Sequence, residues 1–272
     1  MVLIRHDKLR FRFYSLGFKT ELMDIRMEGI GIANWPQGNG LLDRVPNHEQ
    51  AALEPYIEMV ELRAGEILYH PGNPLTHVYF PLSGMVSLIA VMKDGRAVET
   101  MTIGREGVVA TSASGYVDPA FSRFLVQVPG TAVRATAEGF EDMIDASVGL
   151  CSAVSRYREV LLRTTLQIVA CNAVHSVRQR CARWILTTHD RSGSDLLPLT
   201  QASLAEMLGV KRNAVSIVTR DLRRLGIIEN KRGRIEVVDR EALNGVACEC
   251  YGLVHQELGR LLTDGPSPEC DD

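Results

Sequence analysis

A concentration of basic side chains between Gln201 and Arg240 is the part of this chain best suited to binding chemistry. The segment holds nine lysine or arginine residues against five acids, a net charge of +4, whereas the whole chain of 272 residues carries −3. This local reversal of sign suits a surface that contacts phosphates, because the release of counterions from DNA drives much of the binding free energy. The alternative is a solvated, charged helix in an ordinary helical domain.

The hydrophobic pattern predicts the elements that would carry these charges. Thr200 can cap a first helix, and Gly209 can end it, since glycine adopts a positive φ at little cost. A second helix begins near Lys211, and the alternation after it predicts a β-hairpin. The apolar stripe of the first helix is Leu204, Met207 and Leu208, that of the second is Ala214, Val215, Val218, Leu222 and Leu225, and the hairpin turn surrounds Lys231, Arg232, Gly233 and Arg234. Together these elements predict a winged helix-turn-helix.

The hydrophobic pattern of the chain upstream of this unit changes twice. After a helical lead-in from Leu41 to Val60, the segment from Glu61 to Val128 alternates short β-rich runs with glycines. Asp94-Gly95 between two of the runs predicts a two-residue hairpin, so we expect an antiparallel β-roll within residues 39–144. Residues 145–175 follow the helical period instead. Their apolar stripe comprises Leu150, Val154, Tyr157, Leu161, Leu162, Thr165, Ile168, Val169, Asn172 and Ala173. Such a helix exceeds the needs of one small core, and we expect it to pair with a second copy, with packing inside the monomer as the alternative.

The ends of the chain and its composition set further limits. Residues 1–38 show no clear period, and we expect a poorly ordered extension or a misassigned start. No apolar run approaches the roughly 20 residues of a membrane span, and the N-terminus lacks a secretory signal, so we expect a cytoplasmic protein without a membrane partner.

Cysteine and histidine give little sign of catalysis or metal binding in the sequence. We expect the six cysteines to be free thiols. Cys248-Glu-Cys250 could contribute to a metal or redox site, but no second closely spaced pair and no paired histidines accompany it, so we predict no metal site. Because paired carboxylates, a P-loop and a nucleophile motif are missing from the sequence, and its histidines are scattered, we predict no catalytic residues and no enzyme.

Several spaced motifs, in this order, resemble the Crp/Fnr family of bacterial transcription regulators. They are Gly65 to Gly72, Val78 to Pro81, Ser83 to Leu88, Gly104-Arg-Glu-Gly107 and Leu199 to Gly226. The segments Ala170-Cys-Asn172, His175-Ser-Val177 and Ala247 to Tyr251 look like one environmental subgroup of that family.

The resemblance implies an α+β fold and a homodimer that binds an inverted repeat in double-stranded DNA. The implied domains are an extension (1–38), a cyclic-nucleotide-binding-like β-roll that senses an effector (39–144), a dimerisation helix (145–175), a winged helix-turn-helix (176–242) and a tail (243–272). His175 and Ser176 lie between the long helix and the winged helix-turn-helix and are a candidate hinge, with plain core packing at a domain junction as the alternative. The loop 190–195 lies where some family members touch RNA polymerase. The alternative function is a nucleotide-sensing regulatory subunit of a partner enzyme that does not bind DNA.

Overlay on the family's reading helix assigns roles in DNA binding. Arg212 matches an arginine able to donate two hydrogen bonds to guanine, and we expect Arg212 and Asn213 to contact bases. Asn213 replaces a family glutamate and Ile217 a second base-contacting arginine, so the preferred half-site should differ from that of the cyclic-AMP receptor. Phosphate contacts are expected from Thr200, Lys211, Arg220, Lys231 and Arg232, and Ser216 lies on the same reading segment.

The effector pocket implied by the resemblance comprises Gly104, Glu106, Gly107 and Arg123. Here the sequence departs from the family. Gly104 to Val108 only partly matches the phosphate cradle of cyclic-AMP-binding members, and Phe124 replaces a small residue beside the arginine. The departure disfavours a cyclic nucleotide, although Arg123 could still reach an anion, and no cofactor is assigned. No cysteine precedes Cys151, which disfavours the iron–sulfur cluster of oxygen-sensing members.

Overall fold

The computed structural model describes residues 35–111 and 119–263 of the chain, with side chains as far as residue 260. Its N-terminal half contains helix α1 (Asn47–Leu53) between two short 3₁₀ turns, followed by seven strands and helix α2. The strands are β1 (Glu58–Leu62), β2 (Ile67–Tyr69), β3 (His77–Pro81), β4 (Met85–Val91), β5 (Ala97–Ile103), β6 (Arg123–Val128) and β7 (Gly130–Thr136), and α2 spans Ala137–Ala146.

These seven strands form two antiparallel sheets that face each other. One sheet has the order β1-β7-β3 and the other β2-β6-β4-β5. Their inner faces bury one apolar core, which includes Phe80, Val86 and Val133. The predicted antiparallel β-roll is therefore confirmed. The β4–β5 hairpin differs in detail, since Met92 N–H donates to Arg96 O at 2.7 Å and leaves a three-residue loop closed by Gly95 at φ +84°.

The folded part begins earlier in the chain than predicted. Trp35 is buried, and its indole N–H donates to Leu42 O at 3.1 Å, while Asn39 bonds Pro81 O and Gly107 O. Residues 35–38 thus pack against the β-roll rather than extending away from it. The prediction for the rest of the extension, residues 1–34, lies outside the described residues.

A single long helix, α3 (Val148–Val174), follows α2, as the period predicted. Ser147 caps it, because the Ser147 hydroxyl accepts from Leu150 N–H at 2.9 Å. The apolar stripe divides into two parts. Leu150, Val154 and Tyr157 are buried against the β-roll, whereas Leu162 and Val169 are more than 60% exposed. Packing inside the monomer therefore accounts for the first half of the stripe, and α8 (Cys250–Thr263) partly covers Leu161 and Ile168 in the second half, whereas Leu162 and Val169 are left exposed by the described chain.

The C-terminal half is the winged helix-turn-helix and two further helices. Its elements are α4 (Val177–Ser192), β8 (Leu196–Leu197), α5 (Gln201–Leu208), α6 (Arg212–Arg224), β9 (Ile228–Lys231), β10 (Arg234–Val237), α7 (Arg240–Val246) and α8 (Cys250–Thr263). Thr200 caps α5 by accepting from Ser203 N–H at 3.0 Å, and Gly209 ends it at φ +63°. The three short strands pair in the order β8-β10-β9. Leu225, the C-cap residue of α6, was predicted to be buried but is exposed.

The segment predicted as a tail is helical and packed as far as α8. Leu258 of α8 packs against the β-roll core, and Cys248 and Cys250 are buried. The predicted exposed loop 190–195 is also partly helical, because residues 190–192 form the last turn of α4. Asp190 there accepts hydrogen bonds from Arg240 and from the Tyr251 hydroxyl, each at 2.7 Å. Among residues 35–111 and 119–263, no helix is long and apolar enough to cross a bilayer.

The winged helix-turn-helix, with α4 in front of it, lies directly on the β-roll. Met85 and Ile89 of β4 share an apolar cluster with Trp184 and Ile185 of α4. Next to this cluster, the carboxylate of Glu99 on β5 accepts from Trp184 Nε1 at 2.6 Å. The β-roll and the winged helix-turn-helix therefore meet through a packed interface that contains a half-buried carboxylate.

Candidate nucleic-acid interface

Helix α6 presents a basic end to solvent because its opposite face is anchored. Val215 and Leu222 are fully buried under the helix, whereas Lys211, Arg212 and Asn213 at its N-terminus are exposed. No side chain caps this N-terminus, so its free N–H groups and the positive end of the helix dipole also face outward. The arrangement favours contact with an anionic groove.

Ser216 sits one turn along α6 and links the two helices of the motif. Its hydroxyl donates to Gln201 Oε1 at 2.8 Å, and Gln201 Nε2 donates to Thr219 Oγ1 at 3.2 Å. Gln201 was missed by sequence reasoning, although its place at the start of α5, opposite a serine on α6, was a usable signal. Arg220, a further turn along, is exposed.

The remaining predicted contacts differ in whether their side chains already have partners within the chain. Thr200 is exposed, but its hydroxyl already caps α5. In the wing, Lys231 pairs with Glu236 at 3.1 Å, while Arg232 in the turn beside Gly233 is exposed. The roles of these residues in phosphate binding remain predictions.

Comparison with known proteins identifies both halves of the chain. A family model described as a Crp-like helix-turn-helix domain matches residues 179–246, and one for the cyclic nucleotide-binding domain matches residues 59–147. The chain belongs to the Crp/Fnr family of transcription regulators. As a Crp/Fnr regulator it is a DNA-binding protein, and this family's function is not an enzymatic one.

Individual relatives agree with this assignment. The chain is 25% identical to the transcriptional regulator SdrP of Thermus thermophilus over 205 residues, which cover 70% of this chain and 94% of SdrP. Among solved structures, FixK2 from Bradyrhizobium japonicum matches with TM-score 0.58 and 16% identity over 71% of this chain and 98% of its own. The c-di-GMP-responsive regulator CLP of Xanthomonas campestris matches with TM-score 0.58 and 16% identity over 70% and 98%. The structural matches support the fold.

The two charged residues predicted to bind an effector in this Crp/Fnr regulator have partners in the DNA-binding unit, which comprises residues 176–242 and includes α4. Glu106 accepts from Arg191 of α4, with Nη2 at 2.5 Å and Nε at 3.1 Å from Oε1. Burial alone would raise the pKa of Glu106, but the Arg191 charge and hydrogen bonds outweigh burial and hold that pKa below its ordinary value. Arg123 pairs with Glu206 of α5. Both charged side chains thus join the β-roll to the DNA-binding unit, and their role in holding an effector remains a prediction.

The two predicted pocket glycines allow close packing at the same place. A Cβ on Gly107 would lie 2.1 Å from the Tyr157 ring, and one on Gly104 would lie 2.7 Å from Arg191 Cδ. The cleft next to Glu106 and Tyr157 encloses about 30 Å³, which is enough for a water molecule or two.

The cysteines depart from expectation in two respects. Cys171, Cys181, Cys248 and Cys250 are free thiols, as predicted, whereas Cys151 is disulfide-bonded, so the prediction of a free thiol is wrong there. Cys171 and His175, one helical turn apart at the end of α3, lie beside Cys248 and Cys250, and the four side chains could hold a metal ion. That spacing was the available signal. The predicted hinge lies at the same point, since His175 ends α3 and Ser176 caps α4.

We predict that the interface between the two domains weakens as pH rises toward neutrality. Glu99 is half-buried between the β-roll and α4, and desolvation there raises its pKa to about 7, even though Ser87, Trp184, Arg183 and Arg191 favour the charged form. The folded state therefore holds a proton that the unfolded state loses above about pH 4.5. Stability is greatest below that pH and falls as pH rises through about 7, by at most about 3 kcal/mol.

Urea midpoints at pH 5 and pH 8 test this prediction. The variant Glu99→Gln keeps a carbonyl oxygen for Trp184 but has no proton to lose, so its midpoint should change less with pH than that of the wild type. Glu61→Gln, on an exposed side chain of β1, is the matched control and should behave as wild type. A wild-type slope unchanged by Glu99→Gln would refute the assignment.

Proposed function

We propose that this regulator binds an inverted-repeat site as a homodimer and reads it with α6. The observation that carries the proposal is the exposed, uncapped and basic N-terminus of α6 on an otherwise anchored helix. Two copies of such a helix, related by a twofold axis, can enter successive major grooves about 34 Å apart. The alternative, a regulatory subunit without DNA binding, gives no reason for this exposed basic surface.

The second half of α3 is the proposed dimer contact. Leu162, Leu166 and Val169 are each more than 60% exposed and follow one another at spacings of four and three residues. This is the spacing of an a/d seam, in which each side chain packs into a hole on a parallel partner helix. Exposed leucines at this spacing are best explained by a partner of the same kind, because a twofold axis brings the same seam from the second copy.

Base contacts are proposed for Arg212 and Asn213, the exposed first two residues of α6. Lys211 and Arg220 flank them, and Arg232 extends the basic surface into the wing, so these three are proposed to fix the register by contacting phosphates. Thr200 and Lys231 are proposed as weaker phosphate contacts, since each already has a partner within the chain.

An effector of the β-roll, so far unidentified, would act through the contacts between the domains. A ligand can shift the position of the DNA-binding unit only by binding one arrangement better than another. Glu106 and Arg123 are suited to such a shift because each forms an ion pair with the DNA-binding unit. An anion that bound Arg123 would compete with Glu206 for its guanidinium. A cyclic nucleotide is one such anion, and the cyclic nucleotide-binding model supports testing it first. Contact of the 190–195 segment with RNA polymerase is a further proposal, for which the exposed residues of that segment are available.

Selection of bound sites from random DNA, with and without cyclic AMP, tests the proposal. We expect an inverted repeat with half-sites one helical turn apart. Arg212→Ala should weaken binding to the selected site by about 1–3 kcal/mol, or roughly 5- to 150-fold, and change binding to random DNA little. Arg63→Ala removes the same charge from the distant β-roll surface and is the control. Equal losses on both DNAs would assign Arg212 to phosphate contact, and selection of no site would refute the function.

A further inference from the structure

Four metal-binding side chains meet at the junction between α3 and the DNA-binding unit. Cys171 lies in the last turns of α3, His175 ends that helix, and Cys248 and Cys250 lie between α7 and the start of α8. Their ligand atoms all lie within 4.8 Å of one another. The Cys171 and Cys248 sulfurs are 3.5 Å apart, and the Cys250 sulfur is 3.6 Å from His175 Nδ1.

These distances match the spacing of ligands around one metal ion. Zinc–sulfur bonds are about 2.3 Å, so the sulfurs of a tetrahedral site lie about 3.7 Å apart. The three thiols are buried and form a small cluster of their own. Three thiols and an imidazole make a closed set of four soft ligands with no position left for water, which is typical of structural zinc.

We propose that Cys171, His175, Cys248 and Cys250 bind one Zn²⁺ ion, which fixes the end of α3 to the start of α8. The side chains around the four ligands support the assignment. Glu249 lies 3.2 Å from His175 Nε2, so it can accept the N–H of the imidazole and leave Nδ1 free to bind the ion. Gln167 Nε2 donates to the Cys250 sulfur at 3.0 Å, as an outer partner that orients a ligand.

The position of the zinc site would let the ion constrain the orientation of the DNA-binding unit. It joins the helix proposed to form the dimer to the segment that follows the wing, and it does so beside the break between His175 and Ser176. With zinc bound, the angle between α3 and the DNA-binding unit is constrained by four ligands from two distant parts of the chain. Removing the metal should therefore loosen α8 and lower the thermal stability of the full-length protein.

Metal analysis of the reduced full-length protein tests the proposal first. We expect about one zinc per chain, retained on gel filtration. Replacing zinc with Co²⁺ should give the visible spectrum of a tetrahedral cobalt site with thiolate charge-transfer bands. Cys250→Ser should remove about one third of the charge-transfer intensity, whereas His175→Ala should shift the visible bands and keep that intensity, since each thiolate contributes its own transition.

Cys181→Ala is the matched control, because Cys181 is a buried free thiol that lies in the core of the DNA-binding unit rather than in the cluster. It should keep the zinc content and cobalt spectrum of the wild type. Far-UV circular dichroism of each variant separates loss of the ligand from loss of the fold, and the wild-type cobalt spectrum tests the site without any variant. Less than about 0.2 zinc per reduced chain with no cobalt spectrum, equal loss in Cys181→Ala, or iron with visible absorption in place of zinc would each overturn the assignment.

Discussion

Replacing Arg191 with leucine should lower the free energy of unfolding by about 3–5 kcal/mol, because the change leaves the Glu106 carboxylate buried without its partner. The two side chains are only 11% and 12% exposed, and they bond through both the ε and η nitrogens of the guanidinium. Few single contacts in the described chain combine such burial with full charge. Urea unfolding followed by circular dichroism measures the loss.

The control for this prediction is the double variant Arg191→Leu with Glu106→Leu. Two apolar side chains of similar volume should recover most of the lost stability, since a buried ion pair is often no more stabilising than well-packed apolar groups. Arg96→Ala breaks an exposed pair with Asp94 and should cost less than about 1 kcal/mol. If the double variant is as unstable as the single one, the cause is lost packing around α4 and the uncompensated charge is not responsible.

The same pair shows why part of this molecule could not be predicted from the sequence. Local signals predicted the β-roll, the long helix and the helix-turn-helix, because caps, periodicity and turn glycines act over a few residues. Glu106 and Arg191 lie 85 positions apart, and only the packing of the domains brings them together. Sequence reasoning therefore assigned Glu106 and Arg123 to an effector, whereas the structure shows that both also contact the DNA-binding unit.

The metal-binding cluster was missed for a related reason. Cys248 and Cys250 suggested two ligands of a metal site, but no further ligands lie close to them in the sequence. The missing ligands lie more than 70 residues upstream, on a helix that α8 packs against. An i,i+4 pair of cysteine and histidine places both side chains on one helix face, so a search for such pairs would have found it.

Charge on the exposed seam of α3 should have the largest effect on DNA binding. Leu166→Glu is expected to convert the dimer to a monomer, because it buries two like charges next to each other across the twofold axis. The side chain is 62% exposed in one chain and contributes little to that chain's own core, so the monomer should stay folded. A monomer binds one half-site, and losing the linked second contact should weaken binding to the inverted repeat about 100- to 1,000-fold.

Sedimentation and DNA titration of the same samples separate the two consequences of this change. Met92→Glu adds the same charge to an exposed apolar side chain in the β4–β5 loop, away from α3, and should remain a dimer with wild-type affinity. If Leu166→Glu sediments as a dimer, the seam is not the contact. Two half-sites strengthen binding only when two linked copies of α6 bind them together. If Leu166→Glu becomes a monomer but still binds the inverted repeat as tightly as the wild type, dimerisation is therefore not needed for binding the site.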